Sequence, residues 1–308
     1  MRSLLLFIVA FLISNISRAQ DTANYRGMTV NLDEVVVQAK RVGFDVNSFI
    51  RRVETDTTFY RAFRNLHLLG YSADNDIRIY GKKGKVDAFL KSQTLQTMQG
   101  TCRTMKVLHE ETGGDFYTSK GDYKYYTAEL YANFFFTKGT VCAKANGESV
   151  EPSKGNLAKH KAQLKQLIFN PGQPIKGVPI VGGKVAIFDP EVMRLYDFSI
   201  TSEDFNGVPC WVFSAFAKKN LGYFDRNDIV INELVTFFSK ENFDIVNRKY
   251  SLSYKTMVFD FNVKMNVQLV KKENLLTPVL VTYEGTWDVP FRKRETAIFI
   301  AKFHEFTK

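Results

Sequence analysis

The sequence predicts a mainly β fold of the α+β class: a curled antiparallel sheet, or half-barrel, covered by one or two helices. Three observations predict it. Phe259, Phe261, Val263, Met265, Val267 and Leu269 alternate with Asp260, Asn262, Lys264, Asn266 and Gln268, the period of a strand with one dry and one wet face. Between residues 71 and 136, alternating runs are punctuated by Gly81, Gly84, Gly100, Gly113-Gly114 and Gly121, which reads as short strands joined by turns. Only residues 45–66 and 153–169 show a helical period.

Taken in order, residues 1–19 read as a secretory signal peptide. Arg2 supplies the positive start, residues 4–13 are an apolar run well short of the roughly 20 needed to span a bilayer, and Ser17 and Ala19 suit a cleavage site. The expected mature chain begins at Gln20, with no lipid-anchoring cysteine after the cleavage site. It is expected to be exported, to the periplasm or the periplasmic face of the outer membrane. Residues 20–44 are expected to form an N-terminal extension with one short edge strand at Leu32-Asp33-Glu34-Val35-Val36-Val37.

Residues 45–308 are expected to form one domain. In residues 45–66, Val46, Phe49, Ile50, Val53, Phe59, Tyr60, Phe63 and Leu66 recur mostly at spacings of three and four. Asp45 suits the N-cap, and Asp56 suits the cap of a second piece after a break. This amphipathic helix is expected to lie on the sheet. Residues 125–136 alternate as Tyr126, Ala128, Leu130, Ala132, Phe134 and Phe136, which reads as a strand. Leu157, Leu164, Leu167 and Ile168 form the stripe of a second helix. The Pro- and Gly-rich residues 170–183 follow as a long loop, since a strand interior cannot hold so many prolines. Strands return at residues 208–213, 243–254, 259–269, 279–287 and 296–306. Leaving the six apolar side chains of the 259–269 run in water would forgo about 1.5–3 kcal/mol each, so a helix, a second sheet or a ligand must cover that face.

The formal charge of +10 falls to +8 without Arg2 and Arg18. In an exported protein this excludes nucleic acid as the expected partner and leaves a solvated basic surface or anionic lipid headgroups. Of three cysteines, Cys102 and Cys142 lie at strand edges and Cys210 inside an apolar strand. A Cys102–Cys142 disulfide with Cys210 free is one reading, and three free thiols the other.

Catalytic signatures are missing. His109-Glu110-Glu111 begins like a zinc-protease helix motif, but Gly113 stands where the second histidine belongs. Residues 177–184 are one residue too long for a phosphate loop and lack its Ser or Thr. Asp74-Asn75-Asp76 and Asp225-Arg226-Asn227-Asp228 read as turns rather than calcium loops. No G-x-S-x-G elbow occurs. No catalytic residue, metal or cofactor is expected.

The layout is a helix, glycine-punctuated strands, a second helix and Pro/Gly loop, then strands ending in Tyr250-Ser251-Leu252-Ser253-Tyr254 and Tyr283-Glu284-Gly285-Thr286-Trp287. It resembles the half-barrel of periplasmic outer-membrane lipoprotein carriers. Asp56-Thr57-Thr58-Phe59-Tyr60-Arg61-Ala62-Phe63-Arg64-Asn65-Leu66 is also similar to a family of exported Bacteroidota proteins. The resemblance implies the fold and a non-enzymatic envelope protein that holds a lipid or other apolar ligand in a curved sheet. The expected ligand-binding face is Phe259, Phe261, Val263, Met265, Val267 and Leu269. An interaction module docking on an outer-membrane protein is the alternative, and an integral outer-membrane β-barrel the second.

Overall fold

The computed structural model describes residues 21–81, 83–142, 167–174, 182–255, 260–288 and 293–308. The expected signal peptide, most of the expected helix at 153–169, residues 175–181 of the loop, and Phe259 lie outside the described residues.

Among the described residues, thirteen strands form one sheet in the order β1-β2-β7-β8-β9-β10-β11-β12-β13-β3-β4-β5-β6. They are β1 (Thr22–Tyr25), β2 (Met28–Leu32), β3 (Gly70–Tyr80), β4 (Val86–Gln99), β5 (Cys102–Gly113), β6 (Val141–Cys142), β7 (Tyr196–Phe205), β8 (Val208–Ala217), β9 (Ile231–Ser239), β10 (Ile245–Lys255), β11 (Asp260–Lys272), β12 (Leu275–Asp288) and β13 (Glu295–Thr307). Neighbours run antiparallel except β2 and β7, which are parallel. The sheet is curled and unclosed, as expected for a half-barrel. Turn chemistry sets the tight hairpins: Asn206-Gly207 between β7 and β8 both have positive φ, 52° and 83°, the mirror-image turn whose twist suits flanking strands.

The β11 alternation is observed as read. Phe261, Val263, Met265, Val267 and Leu269 are buried, while Asn262 and Lys264 are exposed. The register continues this dry face across the sheet. Tyr250 pairs with Met265, Met265 with Tyr283, Tyr283 with Phe299, Phe299 with Ile77 and Ile77 with Leu90. A second row of smaller residues joins Leu252, Val263, Gly285, Ala297, Ile79 and Ala88. Gly285 has a specific reason: a Cβ there would overlap the ring and hydroxyl of Tyr283, which lies along its own strand and stacks on Phe299 at 4.5 Å. On β11 the apolar residues face in and the polar ones out, the reverse of the lipid-facing pattern of a membrane barrel, whereas on β8 and β9 Cys210, Val212 and Phe237 form a second buried apolar cluster.

Among the described residues, four longer helices accompany the sheet: α1 (Glu34–Arg41), α2 (Val46–Thr55), α3 (Thr58–Asn65) and α4 (Tyr126–Phe135). The break after α2 falls where expected. The Asp45 carboxylate accepts from the Ser48 amide at 3.0 Å, and that of Asp56 accepts from the Thr58 and Phe59 amides at 3.2 and 3.3 Å. Short helical turns α5 (Pro190–Met193) and α6 (Tyr223–Arg226) sit between later strands.

Three readings are corrected. Residues 34–41, including Val35-Val36-Val37, form α1 rather than an edge strand. Asp33 caps it by accepting from the Val36 amide at 2.7 Å, Glu34 opens it, and Lys40 and Arg41 close it, a favourable charge order for the helix dipole. Leu32 ends β2, inside the sheet between β1 and β7. Residues 126–135 are helix α4, not strand. Tyr126, Thr127, Ala128, Leu130, Tyr131, Ala132 and Phe135 are all buried, and a segment buried on nearly every side carries no diagnostic period. Asp74-Asn75-Asp76 lies within β3, where Asp74 and Asp76 face outward and Asn75 inward.

Candidate functional site

The concave face of β8–β13 and β3 is the candidate site. Its described members, Phe261, Val263, Met265, Val267 and Leu269, are brought together on β11 and are fully covered. Phe261 stacks on Trp287 at 5.3 Å, and Trp287 meets Tyr126 of α4 edge-on at 5.5 Å. The Trp287 indole N–H donates to the Tyr283 hydroxyl.

Among the described residues the cover is helical and not a second sheet. It consists of α2–α3, α4 and the described residues Leu167, Ile168 and Phe169, which meet over the centre. Phe63 packs on Phe169 at 4.8 Å, Phe134 stacks on Phe169 at 3.7 Å, and Phe59 meets Tyr250 at 6.2 Å. Gln173, just beyond, donates to the Glu54 carbonyl of α2 at 2.8 Å.

Each covering segment is tied to the sheet by buried polar groups, which must be hydrogen-bonded to be tolerated there. Arg248 of β10 reaches Asp56 at the start of α3, with a nitrogen–oxygen distance of 3.8 Å. Its Nε donates to the Thr236 hydroxyl at 2.9 Å, and its guanidinium lies 4.2 Å over the Phe59 ring. Burial pulls the Arg248 pKa below that of free arginine, against the opposing pull of Asp56. Glu295 of β13 accepts from the Tyr126 and Thr127 amides at 2.9 and 2.6 Å, capping α4 from across the chain. The Asn75 oxygen accepts from the Tyr131 hydroxyl at 2.5 Å, and its amide faces Ser92 and Thr94. Gln96 donates to the carbonyls of Leu66 and Leu69, both at 2.8 Å, and so holds the end of the α3 turn. The Tyr250 hydroxyl donates to the Ile168 carbonyl at 2.5 Å and lies 3.2 Å from the Met265 sulfur; burial raises its pKa.

Of these polar residues the sequence marked Asp56 as a helix cap, but it marked none of Arg248, Glu295 and Gln96. Their partners are up to 192 residues away along the chain, as with Asp56 and Arg248, and no local pattern marks them. An isolated Arg, Glu or Gln at an inward strand position was the available signal.

Open cavities elsewhere among the described residues include two. One of about 460 Å³ is on the outer side of β13, β3, β4 and β5, among Asp74, Asp76, Lys91, His109, Glu111 and Lys302. The other, about 340 Å³, lies among Thr22, Asn24, Lys40, Phe44, Asp45 and Asn47. Neither is lined by the β11 face. No group of side chains that could hold a metal ion occurs among the described residues. His109, Glu110 and Glu111 lie on β5, where strand alternation separates neighbours rather than converging them.

Cys102 and Cys142 face each other across β5 and β6 and are joined as a disulfide. Cys210 is free and buried; burial pushes its pKa up to about 11.

No protein-family profile matches the chain, and a comparison with curated proteins finds no match. Solved structures similar to it in outline include three. A DUF1329 family protein from Desulfovibrio piger is 11% identical with a TM-score of 0.24, over 81% of this chain and 93% of that one. An outer membrane lipoprotein-sorting protein domain from Vibrio parahaemolyticus is 7% identical with a TM-score of 0.27, over 80% and 90%. Lipovitellin, solved for its lipid–protein interactions, is 9% identical with a TM-score of 0.28, over 78% of this chain and 25% of that one. Scores this low carry no function across.

Proposed function

We propose that this chain is a non-enzymatic envelope protein, exported to the periplasm or to the periplasmic face of the outer membrane, that holds an acyl chain or other apolar ligand in its curved sheet. One observation supports this reading above others. The continuous apolar concave face is closed by separate short segments, and Leu167, Ile168 and Phe169 occupy its centre. The ligand takes their place over Met265, Val267 and Tyr283. The segments then part along the Phe63, Phe134 and Phe169 contacts, while the polar ties at Arg248, Glu295 and Gln96 keep α3 and α4 on the sheet. No step needs a catalytic group, metal or cofactor.

The test is extraction. Protein purified from the envelope without detergent is denatured in organic solvent and the extract is analysed by mass spectrometry. One class of lipid in constant ratio to protein is expected; extracts matching a buffer blank in repeated preparations count against the proposal.

A second reading, an interaction module at the outer membrane, is supported by β5. Beyond Cys102 and Arg103, its outer edge has no strand partner among the described residues, and Val107 and Leu108 are exposed there. A partner strand could add at that edge.

A further inference from the structure

The connection between β8 and β9 carries two large side chains in open solvent. Tyr223 and Phe224 are 77% and 84% exposed. Scattered exposed hydrophobics need no explanation, but these are adjacent, lie on the single turn of α6, and pack edge-to-face at 5.7 Å.

The turn that presents them is built, not slack. Arg194 binds Asp225 at 2.8 Å, Arg226 donates to the Leu221 carbonyl at 3.3 Å, and Lys218 donates to the Arg194 carbonyl at 2.9 Å. Lys184 binds Asp228 at 2.9 Å and the Tyr254 hydroxyl at 2.9 Å.

Within the 218–228 connection the charge is one-sided. The two acids, Asp225 and Asp228, are each matched by a cation, Arg194 and Lys184. Lys218, Lys219 and Arg226 remain in excess, and all three are exposed. An aromatic pair with an apolar body and a phenol tip, ringed by surplus cations, has the chemistry of the boundary between headgroups and acyl chains of an anionic bilayer.

We propose that the α6 turn docks this protein on an anionic membrane surface, with Tyr223 and Phe224 entering the interface and Lys218, Lys219 and Arg226 facing lipid phosphates. Through Lys184 the turn is tied to Tyr254, which pairs with Phe261, and Phe261 pairs with Trp287. The turn is thereby linked to the part of the sheet that carries Phe261 and Trp287. Docking does not require that a ligand occupy the concave face.

The experiment is co-sedimentation of the purified protein with vesicles of equimolar phosphatidylcholine and phosphatidylglycerol, and with vesicles of phosphatidylcholine alone. Binding is expected to the first, weakened by salt, and much less to the second. The Y223S/F224S double variant is expected to bind about tenfold more weakly or worse, with its unfolding midpoint unchanged because both side chains are exposed. K219E is expected to lose about fivefold or more on the anionic vesicles. Wild-type protein that ignores both vesicle types, or a double variant that binds as wild type does, overturns the proposal. A wild-type dimer that Y223S/F224S converts to monomer, with no vesicle binding by either, assigns the pair to a protein contact and also overturns it. Vesicle binding by protein that yields no extractable lipid would sink the apolar-ligand reading alone.

Discussion

The guanidinium of Arg248 lies 3.8 Å from the carboxylate of Asp56, with the two side chains only 6% and 8% exposed. Asp56 also caps α3, so one carboxylate both starts the helix and fastens it to β10. A buried pair of this kind contributes little relative to apolar replacements, but breaking it is costly because one charge is left without its partner. Arg248→Met is therefore expected to destabilise the protein by about 3–5 kcal/mol. Asp56→Asn, which retains a capping side chain, is expected to cost less alone and to recover part of the loss in the double variant. Denaturant unfolding of the four proteins checks this; strictly additive losses count against the tie.

Glu295 caps α4 through the Tyr126 and Thr127 amides. Glu295→Ala leaves both buried donors unsatisfied, at an expected cost of about 1–3 kcal/mol. Hydrogen exchange should accelerate at those two amides in the variant. Unchanged protection there would mean that another group caps the helix.

Phe261 is buried and stacked on Trp287. Phe261→Ala is expected to cost about 3–5 kcal/mol. If the ligand reading holds, the variant also changes the affinity for a fluorescent fatty-acid probe, because Phe261 closes one end of the face. A full loss of stability with no probe binding by wild-type protein would leave only a core.

With Cys102 and Cys142 joined and Cys210 buried, denatured, unreduced protein should show one reactive thiol per chain. The native protein should show none, since the Cys210 thiol is covered and its pKa is pushed up to about 11, which keeps the reactive thiolate scarce. Three thiols without reductant would contradict the disulfide.

What was legible in the sequence follows from how local its causes are. The β11 face was readable because its alternation matches strand geometry and one side stays wet. The break between α2 and α3 was readable because Asp45 and Asp56 act within three residues. Helix α4 was misread because cover on nearly all sides removes the polar stripe that distinguishes helix from strand. In α1, Val35 and Val37 suggested strand, and the capping Asp33 with its charge order outweighed them. Asp74 and Asp76 suggested a turn, but an outward face tolerates acids mid-strand. Of the candidate site, the apolar floor was visible, whereas Arg248, Glu295, Asn75 and Gln96 act on partners brought close only by the fold. Tyr223 and Phe224 were indistinguishable from core aromatics until their exposure was known.

The central claim, that an apolar ligand enters the concave face, is tested most directly at Trp287, one of two tryptophans in the chain. It is only 1% exposed, so collisions from bulk solvent cannot quench it. In the Trp211→Phe variant, which leaves Trp287 as the sole tryptophan, titration with a bromine-labelled fatty acid should quench fluorescence saturably, at a single fatty acid per chain. Emission that stays constant through the titration, with the fold intact, would contradict the claim.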